Sequence, residues 1–444
     1  MPQKNLEKTT TVKKQQHSFL FDLDISPALS KNIGSGGISN IEFDRSSKET
    51  LEALQKIYQD KDDINLLSIC DNHEQVDIAK QVSNKIQNKY KKLIIFGMGG
   101  SSFGGQALCG TKFYQYLNKN LTTQIIFIDN IHYHNFSIFL EELSYQDTAF
   151  LTISKSGSTL ETLSQILVTK SFFEKEIQKF GAKNFFFITE NTDNPLSQVA
   201  ASMDCNIIPH HLKIGGRYSC FTSVAMIPAH IVNINLSEYV LGGKNIIEDF
   251  LNNGEQSIVF KGATLLNAII KKGYSNHVFI PYLQRLYQMI YWYAQLFAES
   301  LGKNGKGMTP VKAIGSVDQH SQLQLFLEGP KNKFFTFITQ STQNLGNKII
   351  IPQNVSNIDY LNNNTLGNVI NANQEATIKS LINKGCPVRR IHFHQFNDKA
   401  LGEIMMFFML ETILLGYTTK IDPFDQPAVE IGKKIARTIL SNSK

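Results

Sequence analysis

Residues 93–96, 124–128, 149–153 and 184–189 are apolar, β-branched or aromatic runs separated by helix-length segments. They lack the in–out alternation of a half-solvated strand, so they read as strands buried on both faces. Strands alternating with helices at this spacing specify a parallel sheet covered by helices. A second series, residues 276–282, 309–314, 334–339 and 389–393, repeats the plan without a fixed period. The fold class is therefore α/β, with two parallel-sheet units in tandem.

The rest of the chain is read around these units. Residues 1–45 read as a loose arm, and residues 48–91 as helical from the stripes Leu51, Leu54, Ile57 and Ile78, Val82, Ile86. The expected divisions are 1–90 for the arm and first helices, 91–240 and 241–400 for the two units, and 401–444 for closing helices. Helices are expected over 221–234, 241–251, 401–416 and 428–440. With 444 residues, 42% hydrophobic and 18% charged, the chain is globular. Its net charge of +6 is mild and its Lys and Arg are spread, which gives no reason to expect a nucleic-acid partner.

Five scattered cysteines without a Cys-x-x-Cys argue against a disulfide framework and for a reducing, cytoplasmic setting. Residues 1–16 are polar and lack the apolar stretch of a secretory signal. The apolar run 404–415 is too short to span a bilayer and contains Glu411, so no membrane association is expected. His132 with His134, and His392 with His394, each place two imidazoles on one expected strand face. Neither pair has a third ligand at metal spacing, so no metal site is expected.

Ligands of open α/β sheets sit at the carboxyl ends of strands. After the third run comes Ser154-Lys155-Ser156-Gly157-Ser158-Thr159, then Leu160, Leu163, Leu167 and Val168 at helical spacing. A helix N-terminus flanked by hydroxyls and a lysine suits a phosphate, although the same pattern also starts ordinary helices. The first run enters Gly97-Met-Gly-Gly100-Ser101-Ser102. A dinucleotide fingerprint would need glycine at Ser102, so no nicotinamide cofactor is expected. Gly100 and Ser101 fit a sugar-phosphate turn.

Gly215-Gly-Arg217 offers a permanent cation for a developing oxyanion, or a loop salt bridge. An aromatic helix over 286–300 places Gln295 and Glu299 four apart on one face, with Glu299 a candidate general base in its last turn. His320 follows the strand 309–314 and is either a proton shuttle or a structural histidine. Gln426 and Lys433 flank the start of the last helix.

Taken in order, FGMGGSS, SKSGSTLET, GGRYS, QLFAESLGK, DQHS and FDQPAVEIGK resemble the glucose-6-phosphate isomerase family, from about Leu93 to the C-terminus. The resemblance implies two sugar-isomerase (SIS-type, flavodoxin-like) sandwiches with flanking and C-terminal helices. It implies an aldose–ketose isomerase acting on a phosphosugar, without metal or cofactor. Ser101, Ser154, Lys155, Ser156 and Thr159 would bind phosphate, with Gln295 and Gln426 lining the sugar site. Arg217 would hold the enediolate and Glu299 would move the proton. His320, supplied in trans within a homodimer, would open the ring with help from Lys433. Leu212, Cys220, Leu301 and Pro427 depart from the family pattern, but none removes a charged group from the set. Two other readings stay open: an isomerase of mannose 6-phosphate or of dual specificity, and a sugar-phosphate sensor without catalysis.

Overall fold

The computed structural model describes residues 19–71, 73–112 and 122–442. Ten strands among them form two five-stranded sheets. They are β1 (Phe21–Asp24), β2 (Lys92–Gly97), β3 (Gln124–Ile128), β4 (Thr148–Ile153), β5 (Phe185–Thr189) and β6 (Ile207–Pro209). After these come β7 (Asn276–Pro281), β8 (Thr309–Lys312), β9 (Lys333–Gln340) and β10 (Val388–Phe393).

The first sheet runs β3-β2-β4-β5-β6 and is parallel throughout. Every residue of β4 and β5 is buried, as a sheet covered on both faces demands. Successive side chains point to opposite faces, so one strand feeds two cores. Ile94, Phe96, Phe150 and Phe187 pack on one side, where Phe150 stacks on Phe185 at 4.8 Å between centroids. Leu93, Ile95, Leu151 and Ile188 point the other way, into a larger core shared with the second sheet.

The second sheet runs β1-β10-β9-β7-β8. Its edge corrects the expectation of a loose arm for residues 19–45; residues 1–18 of that expected arm lie outside the described residues. Phe21–Asp24 is a strand antiparallel to β10, with Phe21 opposite Phe393 and packed edge-on against its ring at 5.6 Å. A helix also begins at Asn40, earlier than the expected helical region. Ser39 starts it with a capping box: its hydroxyl accepts from the Glu42 N–H at 3.3 Å, and the Glu42 carboxylate accepts from the Ser39 N–H at 2.7 Å.

At the centre of the larger core lies the helix Asp398–Thr419, buried continuously from Ala400 to Gly416. It packs against the helices Leu236–Asn253, Ile258–Lys271, Asn40–Gln59 and Tyr287–Leu301. The first of these comes close enough that a Cβ on Gly402 would stand 1.8 Å from the Tyr239 carbonyl oxygen. Burying each large apolar side chain in this core contributes roughly 1.5–3 kcal/mol. The short run 404–415 thus belongs to a 22-residue helix, long and apolar enough to cross a bilayer, but its most apolar 18-residue stretch is 94% buried inside the protein. Its environment is protein core.

Candidate active site

The strand β4 ends at Ile153, and the helix Leu160–Phe172 begins after a loop of six residues, as its pattern predicts. The intervening loop is fastened to the neighbouring strand end. The Lys155 carbonyl accepts from the Glu190 N–H at 3.1 Å and from the Thr189 hydroxyl at 3.2 Å. Gly157 sits at φ +63°, and a Cβ there would lie 1.7 Å from Asn194 Oδ1; only glycine fits both the conformation and the space. Ser156 and Ser158 hydroxyls lie 3.0 Å apart on the exposed side. Ser154 is 1% exposed, and its hydroxyl bonds Thr159 at 2.9 Å. It stands behind the loop and steadies Thr159.

The turn after β2 interlocks with the turn carrying Arg217. A Cβ on Gly100 would lie 2.3 Å from the Gly216 carbonyl carbon, and Ser219 Oγ donates to the Gly100 carbonyl at 3.3 Å. Arg217 itself is 3% exposed. Its Nε donates to Ser300 Oγ at 2.8 Å and its Nη1 to Gln426 Oε1 at 2.9 Å. Nη2 donates to the carbonyls of Pro423, at 2.6 Å, and Asp425, at 3.0 Å. Nη1 also stands 3.5 Å from the Glu299 carboxylate. A surface salt bridge is excluded: this is a buried cation held on several sides, with one edge presented to Glu299. Tyr218, pushed up to about 12 mainly by burial, remains a neutral phenol and donates to the Pro423 carbonyl at 3.1 Å.

Glu299 lies in the last turn of the helix Tyr287–Leu301, half-buried, and accepts from Gln295 Nε2 at 3.1 Å. These turns enclose a cleft of about 480 Å³. Gly100, Ser101, Lys155, Ser156, Thr159, Arg217, Gln295, Glu299, Gln426 and Lys433 all line it. Lys433 reaches it from the helix Val429–Asn442, paired with Glu430 at 2.6 Å.

Two expected residues do not line it. Ser154 is the support already described. His320 is exposed at the end of the short 3-10 turn Val317–Gln319, so one chain does not bring it to the Glu299 cleft.

Glu190 and Phe424 line the cleft without having been singled out. Glu190 could have been found, since it follows directly on an expected strand's carboxyl end. His210, just past β6, is held neutral. Burial, with a smaller push from the Lys155 charge, takes it down to about 4. His132 and His134 lie beyond the end of β3 in a turn, which corrects their expected place on a strand. No cluster able to hold a metal occurs among the described residues.

Two five-stranded sheets and a polar cleft at strand carboxyl ends define the class, an α/β enzyme. The chain belongs to the phosphoglucose isomerase family, which its residues 69–444 match. It is 33% identical over 367 residues to the glucose-6-phosphate isomerase of Campylobacter jejuni, covering 80% of this chain and 87% of that protein. A crystal structure of a hypothetical protein from Thermus thermophilus superposes with a TM-score of 0.83 at 25% identity, covering 95% of this chain and 99% of that one. A glucose-6-phosphate isomerase from Chlamydia trachomatis shares the fold, with a TM-score of 0.69 at 21% identity over 83% of this chain and 73% of that one.

Proposed function

We propose that the chain interconverts D-glucose 6-phosphate and D-fructose 6-phosphate through a cis-enediolate. The observation that carries this reading is the Glu299 carboxylate 3.5 Å from the buried Arg217 guanidinium, in one cleft with a serine-and-lysine anion loop.

Moving hydrogen between adjacent carbons beside a carbonyl needs a base that serves both carbons and a cation for the oxygen that becomes negative. Glu299 takes the proton from C2 of the open-chain aldose. The C–H electrons form the C1–C2 double bond, and the carbonyl electrons move onto O1, where Arg217 balances the charge. Glu299 then returns the proton to C1 while the O2 hydroxyl proton passes to O1, and the electrons left on O2 form the ketose carbonyl at C2. Ser101, Lys155, Ser156 and Thr159 hold the phosphate, and binding energy from this remote group orients the reacting carbons. Gln295 and Gln426 take sugar hydroxyls. Ring opening falls to His320, delivered by a second copy of the chain in a homodimer, with Lys433 assisting. The proton shuttle calls for no cofactor, and the setting is the cytoplasm.

A coupled assay tests the reading by following fructose 6-phosphate formed from glucose 6-phosphate and, separately, from mannose 6-phosphate. Turnover of the glucose ester with little from the mannose ester supports it. Preference for the mannose ester, or no turnover of either, overturns it.

A further inference from the structure

Glu190 has no role in the proton shuttle, yet its place is built into the anion loop. Its backbone N–H holds the Lys155 carbonyl at 3.1 Å, and its own carbonyl accepts from Asn194 Nδ2 at 3.1 Å. Asn194 in turn packs under Gly157, and the Leu196 N–H donates to the Gly157 carbonyl at 3.0 Å. The two backbones are bolted together, so the carboxylate cannot drift from the loop. Glu190 Oε1 stands 3.7 Å from Lys155 Nζ, with both side chains lining the cleft, 27% and 31% exposed.

A pair this exposed adds little to folding. What it changes is the field in which an anion must bind. Three hydroxyls, a lysine and a helix N-terminus would hold a phosphomonoester dianion tightly, whereas a carboxylate on the same wall repels it.

We propose that Glu190 sets the affinity of the anion loop, neutralising Lys155 in the empty cleft and yielding the ammonium to an entering phosphate. The inference rests on the reading of this loop as the phosphate site. Its consequence is that a bare phosphate binds weakly, while a phosphosugar is retained through additional contacts on its sugar. Product leaves a loop that does not grip it.

The experiment is calorimetric titration of the full-length protein with inorganic phosphate, together with KM for glucose 6-phosphate. Glu190→Gln keeps shape and a hydrogen-bond acceptor for Lys155 but removes the charge. It should bind phosphate roughly three- to tenfold more tightly and lower KM by a similar factor. Glu190→Asp keeps the charge and should stay close to wild type. Tightening should shrink as salt is raised, since screening weakens the removed repulsion. Unchanged or weaker phosphate binding in the Gln variant overturns the proposal, because Glu190 would then only position Lys155. The double variant Ser156→Ala, Thr159→Ala separates the two readings. If it weakens phosphate binding while Glu190→Gln does not tighten it, the loop reading stands and the Glu190 proposal falls. If neither changes phosphate binding, the loop is not the anion site and both fall.

Discussion

Arg217 Nη1 stands 3.5 Å from the Glu299 carboxylate, while the other nitrogens of the same guanidinium are committed to Ser300, Pro423 and Asp425. The cation is fixed before any substrate arrives, which is what electrostatic stabilisation of a transition state requires. Lysine cannot reproduce it, because one ammonium cannot span acceptors on three sides. Arg217→Lys should lower kcat by about 10²–10³-fold. It should also cost roughly 1–3 kcal/mol of stability, as buried carbonyls lose their donor. Steady-state kinetics and urea unfolding measure both; a near wild-type kcat would show that the guanidinium is structural only.

The anion loop makes a different demand. Gly157 has φ +63° and Asn194 Oδ1 where a Cβ would go. Gly157→Ala should therefore push the loop off its seat and raise KM for glucose 6-phosphate by about tenfold or more, through the loss of at least one charge-assisted hydrogen bond. Unaltered KM would mean that phosphate is held elsewhere.

His210 supplies a pH dependence of stability. Unfolded, an imidazole takes up its proton near pH 6.5; folded, burial delays this to about 4. Between those values the unfolded chain binds more protons, so this group's contribution to stability is intact above about pH 7 and is lost as pH falls towards 4. The full loss is about 3 kcal/mol. Urea unfolding from pH 7.5 to 5 should show a shallower decline in His210→Gln than in wild type. Equal slopes would contradict the assignment.

The sheets were legible because strands covered on both faces must be apolar throughout, as β4 and β5 are. β1 was not, since its four residues alternate between buried and exposed and its partner lies at the far end of the chain. The helix at Asn40 did carry a local signal, the Ser39–Glu42 capping box, which the low hydrophobicity around it obscured. In the site, Lys155 was raised by its place after a strand, Arg217 by its Gly-Gly-Arg turn and Glu299 by its place in the last turn of an aromatic helix. The carbonyls of Pro423 and Asp425 that hold Arg217 were invisible, because backbone acceptors leave no trace in residue identity. The burial of Ser154 was invisible for a related reason: a hydroxyl in a phosphate motif looks the same whether it lines the cleft or bonds Thr159 from behind.

His320 lies exposed and outside its own chain's Glu299 cleft. If a second copy delivers it, two inactive chains can complement each other. Co-expressed Glu299→Ala and His320→Ala variants should form mixed dimers with one site carrying both defects and one site intact. Purified mixed dimers should recover about half of wild-type activity, and random assembly about a quarter. Mixed dimers no more active than either parent would exclude donation in trans.

The claim on which the mechanism turns is that Glu299 moves the proton. Glu299→Gln keeps the side chain's size and its contact with Gln295 while removing the acceptor. The decisive measurement is kcat and KM of this variant with glucose 6-phosphate, alongside deuterium incorporation at the transferred carbon in heavy water. A fall in kcat of about 10²–10⁴-fold with little change in KM, and loss of exchange, is the predicted result. Isomerisation and exchange at near wild-type rates would contradict it.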